Sequence, residues 1–472
     1  MTPGGPLPTG FAVRLDPRAR RREDGAVLLG GSPLRLLRLS PPARALLSGD
    51  RLVVRDARTA VLAGRLLDAG LAHPDLPAVG GAQDDVTVVV PVRDRPAALA
   101  RLLTALRADP ATARAPLVVV DDGSVDPAAV VRVAGACGVR VVRREVSGGP
   151  AAARDAGLRE ARTDLVAFLD SDCVPRAGWL GVLRSHLADP RLALVAPRIT
   201  GLPGGPTGWT AAYDEVAGAL DMGEHPAPVR PWSAVSYVPS AAMLARRVAL
   251  GGGFDESMRV AEDVDLVWRL VEAGWRVRYE PGAVVEHEHP VATAEWLRRR
   301  AFYGTGAALL AARHGPAVAP VVLAPTSAAV WALLVAGGRR GWAPAAAILA
   351  VDTVRLSRRL AGPGRPPEAG FAAGLVLRGA VSAGRSLARA VTRHHWPLAV
   401  VLLAVRRLRP WLLGAAVVDA AAAWWPVRRR LGPLRFAVAR RLDDLAYGAG
   451  LWWGAARAHD LRALRPTRPP RL

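Results

Sequence analysis

Three short apolar runs end on acids at matching places, and this recurrence restricts the fold more than any other feature. "TVVVPV" is closely followed by Asp94, "LVVV" by Asp121 and Asp122, and "LVAFL" by Asp170 and Asp172. The runs are Val- or Leu-rich and bounded by polar turn residues, which reads as buried strand more readily than as helix. Between the first two lies "LARLLTALRA", with helical spacing. Continuous apolar strands alternating with helices predict an α/β chain with a Rossmann-like, mostly parallel sheet covered on both faces. Ligands of such sheets bind beyond the carboxyl ends of the strands. Topology alone therefore gathers these acids along one edge.

Carboxylates lined up on one rim repel one another and raise their own pKa values unless cations or hydrogen-bond donors neutralise them. No cysteine or histidine cluster accompanies these acids, so a hard divalent ion with oxygen ligands is the expected neutraliser. Mg²⁺ or Mn²⁺ fits, since both bridge protein carboxylates and substrate phosphates. One acidic pair alone reads as a solvated strand end or a helix cap; three in register argue for a site.

The net charge of +22 comes from 63 basic residues, all arginine, in a chain 51% hydrophobic. The arginines are scattered and no nucleic-acid-binding motif accompanies them, so a nucleic-acid partner is not expected. An anionic substrate or a membrane surface accounts for them better. Cys137 and Cys173 form neither a disulfide framework nor a zinc spacing, which suits a reducing compartment. "MTPGGPLPTG" carries no apolar signal core, so the expected location is the cytoplasmic face of the cell membrane.

Three segments are expected. Residues 1–80 read as a small α+β module: "FAVRLD" and "AVLL" as strands, "PLRLLRL", "PPARALL" and "TAVLAGRLLDAG" as helices, the last closed by Gly70, with "HPDLPAVGGAQDD" as a linker. Residues 84–312 form the α/β domain. Residues 316–472 are rich in Ala, Val, Leu and Trp; "AVAPVVLAPTSAAVWALLVAGG" has the length of a membrane span, and a hydrophobic, membrane-associated helical region is expected.

Four motifs in order, "VVVPVRD", "DDGS", "GGPAAARDAG" and "DSD", resemble the nucleotide-sugar-dependent glycosyltransferases of family 2, with the GT-A fold. The resemblance implies that Pro91, Asp94, Asp121 and Asp122 form the nucleoside pocket, and that Asp155, where the family usually has asparagine, lies with them. It implies that Asp170 and Asp172 hold the metal and diphosphate. In "RVAEDVDLVWRLVEAG", Glu262 and Asp263 resemble the family's E-D motif, whose aspartate is the general base, with Glu262 in support. Displacement at the anomeric carbon needs the acceptor hydroxyl deprotonated on the face opposite the leaving diphosphate, which predicts inversion. His287 or His289, in "VVEHEHP", resembles a third metal ligand, and the basic segment with Arg298 and Arg299 resembles one that closes over the diphosphate.

The front of the chain is similar to the small winged-helix-like PqqD modules that bind precursor peptides, and the whole layout resembles the glycosyltransferases of the mycofactocin system. That resemblance implies glucose transfer from UDP-glucose to the peptide-derived redox cofactor mycofactocin or its precursor. Two other readings remain open: the same chemistry on a lipid-linked or cell-envelope glycan, and an inactive peptide-binding scaffold.

Overall fold

In the computed structural model, residues 4–47, 49–203, 208–288, 292–361 and 368–469 are described. The chain packs as two compact units, one of 1–207 with 217–289, the other of 208–216 with 290–472.

The first unit begins with β1 (Ala12–Leu15), β2 (Arg20–Arg22), β3 (Val27–Gly30), β4 (Arg35–Arg38), α1 (Pro41–Leu46), β5 (Arg51–Val53), α2 (Ala57–Ala69) and β6 (Ala72–Pro74). They build two small sheets, β5-β1-β6 and β2-β3-β4, over a core that includes Phe11, Val13, Leu28, Leu66 and Leu71. α2 is bounded as its sequence predicts: Asp56 and Thr59 form a capping box, and Gly70 closes the helix at φ 66°. Two expectations fail. "PLRLLRL" supplies strand β4, whose alternating burial is that of a hairpin edge, and the expected linker begins with β6, which pairs with β1.

The module is fastened within this unit by charged groups. Arg278 Nη2 lies 2.8 Å from His73 Nδ1, and His73 Nε2 lies 3.0 Å from Asp16 Oδ2. A guanidinium only donates, so Nδ1 accepts and Nε2 carries the proton that it gives to Asp16. Burial and the adjacent Arg278 push His73 down to about 4, so the imidazole is neutral. Arg276 Nε adds a 2.8 Å bond to Asp68.

The α/β part follows as β7 (Val86–Val92), α3 (Pro96–Ala108), β8 (Leu117–Asp122), α4 (Pro127–Ala136), β9 (Arg140–Arg144), α5 (Pro150–Glu160), β10 (Leu165–Leu169), β11 (Cys173–Pro175), α6 (Trp179–His186) and β12 (Leu192–Gly201). Past α7 (Trp209–Ala217), most of which belongs to the second unit, come β13 (Ala227–Pro228), β14 (Ala242–Arg246), α8 (Arg247–Leu250), α9 (Glu262–Glu272) and β15 (Arg276–His287). The main sheet runs β11-β15-β12-β14-β10-β7-β8-β9, with β13 beside β15. β9, β8, β7 and β10 are parallel, whereas β14 is antiparallel to both β10 and β12. The sheet is thus mixed, not mostly parallel as expected, because apolar strand runs do not encode direction. Strand order reverses between β7 and β10, and the crevice of such a sheet opens at the carboxyl ends of those strands. α5 lies unusually close to the sheet: a Cβ on Gly157 would sit 2.2 Å from Val89 Cγ1.

The second unit comprises α7, α10 (Thr293–His314), α11 (Pro325–Gly337), α12 (Trp342–Leu360), α13 (Ala369–Arg389), α14 (Trp396–Leu402), α15 (Arg409–Trp424) and α16 (Pro433–Arg457). α10 and α16 meet through glycines: a Cβ at Gly304 would lie 2.1 Å from the Tyr447 carbonyl. The expected span at 317–338 is not one helix. A 3-10 turn occupies Gly315–Val318, Val322 bridges to Thr467, and α11 starts only at Pro325. Pro320 and Pro325 remove the amides that a continuous helix needs there. Among the described residues no helix is long and apolar enough to cross a membrane.

Candidate active site

The carboxyl end of β7 turns sharply at Asp94, a non-glycine residue at φ 55°. Its amide donates to Ser124 Oγ at 3.0 Å and its Oδ1 accepts from Val125 N at 2.7 Å, stitching this turn to the one after β8. Pro91 sits within β7 opposite Val120.

Asp121 and Asp122 end β8, and the parallel register sets Arg143 and Arg144 of β9 opposite them. Arg143 Nη1 lies 2.6 Å from Asp121 Oδ2. Asp122 accepts from Arg144 Nε, Ser147 Oγ and the amides of Gly148 and Gly149, all between 2.7 and 3.0 Å. Burial opposes its ionisation, but those donors, the Ser147 hydroxyl foremost, hold the carboxyl below its ordinary range. Asp122 therefore directs both oxygens at the 147–149 turn. Gly123 is required beside it: at φ 74°, a Cβ would lie 2.8 Å from Ser147 N.

α5 carries the residue that sequence reasoning missed. Arg154 is 3% exposed; its Nη2 lies 2.6 Å from Asp170 Oδ1 and its Nη1 lies 3.0 Å from Glu262 Oε1. The guanidinium also lies over the Phe254 ring, 5.6 Å from its centroid. One arginine thus joins the acid after β10 to the acid opening α9. The available signal was a charged side chain in an otherwise small-residue helix, "PAAARDAG", whose Gly157 lets α5 lie close on the sheet. Asp155 beside it points elsewhere: its Oδ1 accepts from Phe254 N at 2.9 Å, and burial pushes its carboxyl up to about 6. It braces the 253–254 turn.

Asp172 pairs with Arg95 Nη1 at 2.6 Å, and its Oδ1 lies 3.4 Å from His287 Nε2. The pairing of β11 with β15 sets His287 opposite Cys173, next to Asp172. Cys173 is a buried free thiol whose sulfur donates to the Ala241 carbonyl. His289 lies outside the described residues. Each rim acid after β8 and β10 thus faces an arginine, where the sequence led us to expect a metal ion as neutraliser. Two carboxylates and an imidazole fit Mg²⁺ or Mn²⁺ in donor type. Among the described residues, however, no three His, Cys, Asp or Glu side chains are already gathered as a metal cluster.

Glu262 and Asp263 open α9 after Ala261, which is held at φ 62°. Asp263 accepts from Val264 N at 2.8 Å and from Ser240 N at 3.2 Å. Burial, and for Glu262 also the adjacent Asp263, raises both carboxyls above the ordinary range. Two neighbouring acids with raised pKa values beside a cationic bridge are suited to proton transfer.

A family model described as glycosyl transferase family 2 matches residues 87–250. The pre-mycofactocin glycosyltransferase of Mycobacterium tuberculosis (strain ATCC 25618 / H37Rv) is 48% identical over 475 residues, covering 98% of each chain. The chain belongs to glycosyl transferase family 2. It is therefore a glycosyltransferase with the GT-A fold. The succinoglycan biosynthesis protein ExoU of Rhizobium meliloti (strain 1021) is 35% identical over 108 residues, 22% of this chain and 31% of that one. Among solved structures, the mannosyltransferase PcManGT from Pyrobaculum calidifontis, in complex with GDP-Man and Mn²⁺, aligns at 20% identity and TM-score 0.40. That alignment covers 74% of this chain and 89% of the other.

Arg298 and Arg299 lie on α10 in the second unit, Arg298 exposed and Arg299 3.2 Å from Glu295. Arg300 is buried between Asp214 and Asp443, an internal tie of that unit.

Proposed function

We propose that this family 2 enzyme transfers glucose from UDP-glucose, with inversion, to the peptide-derived redox cofactor mycofactocin or its precursor. The end-to-end likeness to the pre-mycofactocin glycosyltransferase supports the acceptor. The observation that carries the chemistry is Arg154, which draws the D-S-D acid Asp170 and the E-D acid Glu262 into one centre.

In this reading Asp263 takes the proton of the acceptor hydroxyl. The oxygen forms its bond to the anomeric carbon as the bond to the diphosphate oxygen breaks on the opposite face, and UDP leaves. Burial keeps Asp263 basic enough to accept that proton. Arg154 fixes Glu262 and, through it, the first turn of α9 that carries Asp263. Asp94, Asp121 and Asp122 shape the nucleoside pocket by ordering the turns after β7, β8 and β9. Asp170, Asp172 and His287 would hold Mg²⁺ or Mn²⁺, which when bound neutralises charge on the departing diphosphate. The N-terminal module serves as a winged-helix-like, PqqD-related site for the peptide part of the acceptor. We further propose that the enzyme works at the cytoplasmic face of the cell membrane.

Incubation with UDP-glucose and a pre-mycofactocin acceptor, followed by mass spectrometry and proton NMR of the product, tests this reading. A single added hexose with a β-anomeric proton coupling is expected. A retained α-configuration would overturn the mechanism, and addition only to lipid or envelope glycan would overturn the acceptor.

A further inference from the structure

Between α11, α13, α14 and α15 lies a cavity of about 900 Å³ whose walls are almost wholly hydrocarbon. Its lining includes Trp331, Ala388 and Val418. The Trp331 indole already donates to the Ala380 carbonyl at 2.9 Å, so its one polar group makes no demand on an occupant. An apolar cavity of roughly 150 Å³ is enough to stay dry and admit benzene. This one is several times larger, and its walls favour a hydrocarbon over a ligand with polar groups needing partners.

The mouth has a definite charge. Arg385 lines the cavity and is exposed, and the exposed Arg406, Arg407 and Arg409 lie on the segment joining α14 to α15 and the start of α15. Between Ala369 and Arg430 the sequence holds a single carboxylate, Asp419, and it is buried against Arg440 and Arg441. The lining thus carries a cation, Arg385, and the exposed Arg407 and Arg409 flank the lining residue Leu408. Large apolar side chains stand out among them: Val401 is 69% exposed, Leu413 59% and Val417 66%. Exposed aliphatics interleaved with arginines, where no described helix is long and apolar enough to cross a bilayer, are the pattern of a surface lying in the headgroup layer of an anionic membrane.

We propose that this cavity takes one acyl chain of an anionic membrane phospholipid, with its phosphate at Arg385. The site anchors the second unit by extracting a chain, which surface charge alone cannot do. It is independent of the glycosyl-transfer reading, whose proposed acids and Arg154 belong to the first unit.

Gly414 lines the cavity, and a Cβ there meets nothing within 4 Å, so Gly414→Trp fills the space without a clash at the backbone. The full-length protein, purified in mild detergent after incubation with phosphatidylglycerol or phosphatidylcholine, would be examined by native mass spectrometry. Sedimentation with vesicles of each lipid would run in parallel. One phosphatidylglycerol retained per wild-type chain, at least tenfold less in Gly414→Trp, and a preference for phosphatidylglycerol reduced in Arg385→Gln are expected. Transfer from UDP-glucose in detergent by Gly414→Trp should stay within twofold of wild type, so loss of lipid is distinguishable from loss of catalysis. Equal retention by wild type and Gly414→Trp, or retention of both lipids alike, would overturn the proposal. So would a dimer lost in Gly414→Trp, which would assign the cavity to a second copy.

Discussion

Arg154 and Asp170 form a 2.6 Å ion pair at the carboxyl end of β10, and the other arm of the same guanidinium holds Glu262 at 3.0 Å. Two acids far apart in sequence are thereby fixed to one buried cation. Replacing Arg154 with methionine leaves both without compensation, and breaking a buried pair this way costs about 3–5 kcal/mol. Arg154→Met should unfold at markedly lower urea and release no UDP. Arg154→Lys, with a point charge in place of a fork, should fold but lose most transfer. Urea unfolding and UDP release on both variants check this; wild-type activity in Arg154→Lys would contradict the bridging role.

Ala261 is held in the left-handed region at φ 62° immediately before the E-D pair. That conformation costs an L residue about 1–2 kcal/mol, while glycine adopts it freely at some entropic cost of its own. Ala261→Gly should therefore raise the unfolding free energy by about 0.5–1 kcal/mol, and Ala261→Val should lower it. Urea midpoints for the two should move in opposite directions.

His73 makes the attachment of the N-terminal module acid-sensitive. Its pKa is depressed from 6.5 in the unfolded chain to about 4 in the fold, chiefly by burial. The folded state therefore holds fewer protons than the unfolded state between those values, and stability falls as pH falls through them. The full loss is about 3 kcal/mol. Asp155 and Glu262, whose carboxyls are raised by burial, act with the opposite sign in the same window, so the histidine is read as a difference in urea unfolding: between pH 7 and pH 4 the unfolding free energy of wild type should fall relative to that of His73→Gln, by up to that amount.

Asp122 receives four hydrogen bonds from the 144–149 segment. Asp122→Ala should cost about 2–4 kcal/mol, since it strands the charged Arg144 and two backbone amides. It should also weaken UDP binding, because the 147–149 turn after β9 loses its brace. Thermal unfolding and calorimetric titration with UDP measure the two effects separately.

The strands and their acidic ends were legible because a buried parallel strand is apolar along its length and acids gather at or just past its carboxyl end, as Asp121 and Asp122 do in β8. Strand direction was not: β14 inserts antiparallel beside β10 with an ordinary apolar sequence, "AMLAR". At β4, Leu34, Leu36 and Leu37 are spaced closely enough to suit a helix, although the alternating burial is that of a strand. The expected span failed at Pro320 and Pro325, which were visible in the sequence. The rim acids were found, but their arginine partners were not. Arg143 and Arg144 become opposite to Asp121 and Asp122 only through the β8–β9 register, and Arg154 reaches Asp170 only because α5 packs so close to the sheet.

The central claim is that D-S-D and E-D act as one centre, with Asp263 as base. It is tested most directly by acceptor-dependent UDP release from UDP-glucose with Mn²⁺, comparing wild type with Asp172→Asn and Asp263→Asn. The account predicts acceptor-dependent release in wild type, a fall of roughly 10²–10⁴-fold in Asp263→Asn, and near-complete loss in Asp172→Asn with folding intact. Release by folded Asp263→Asn at the wild-type rate would contradict it.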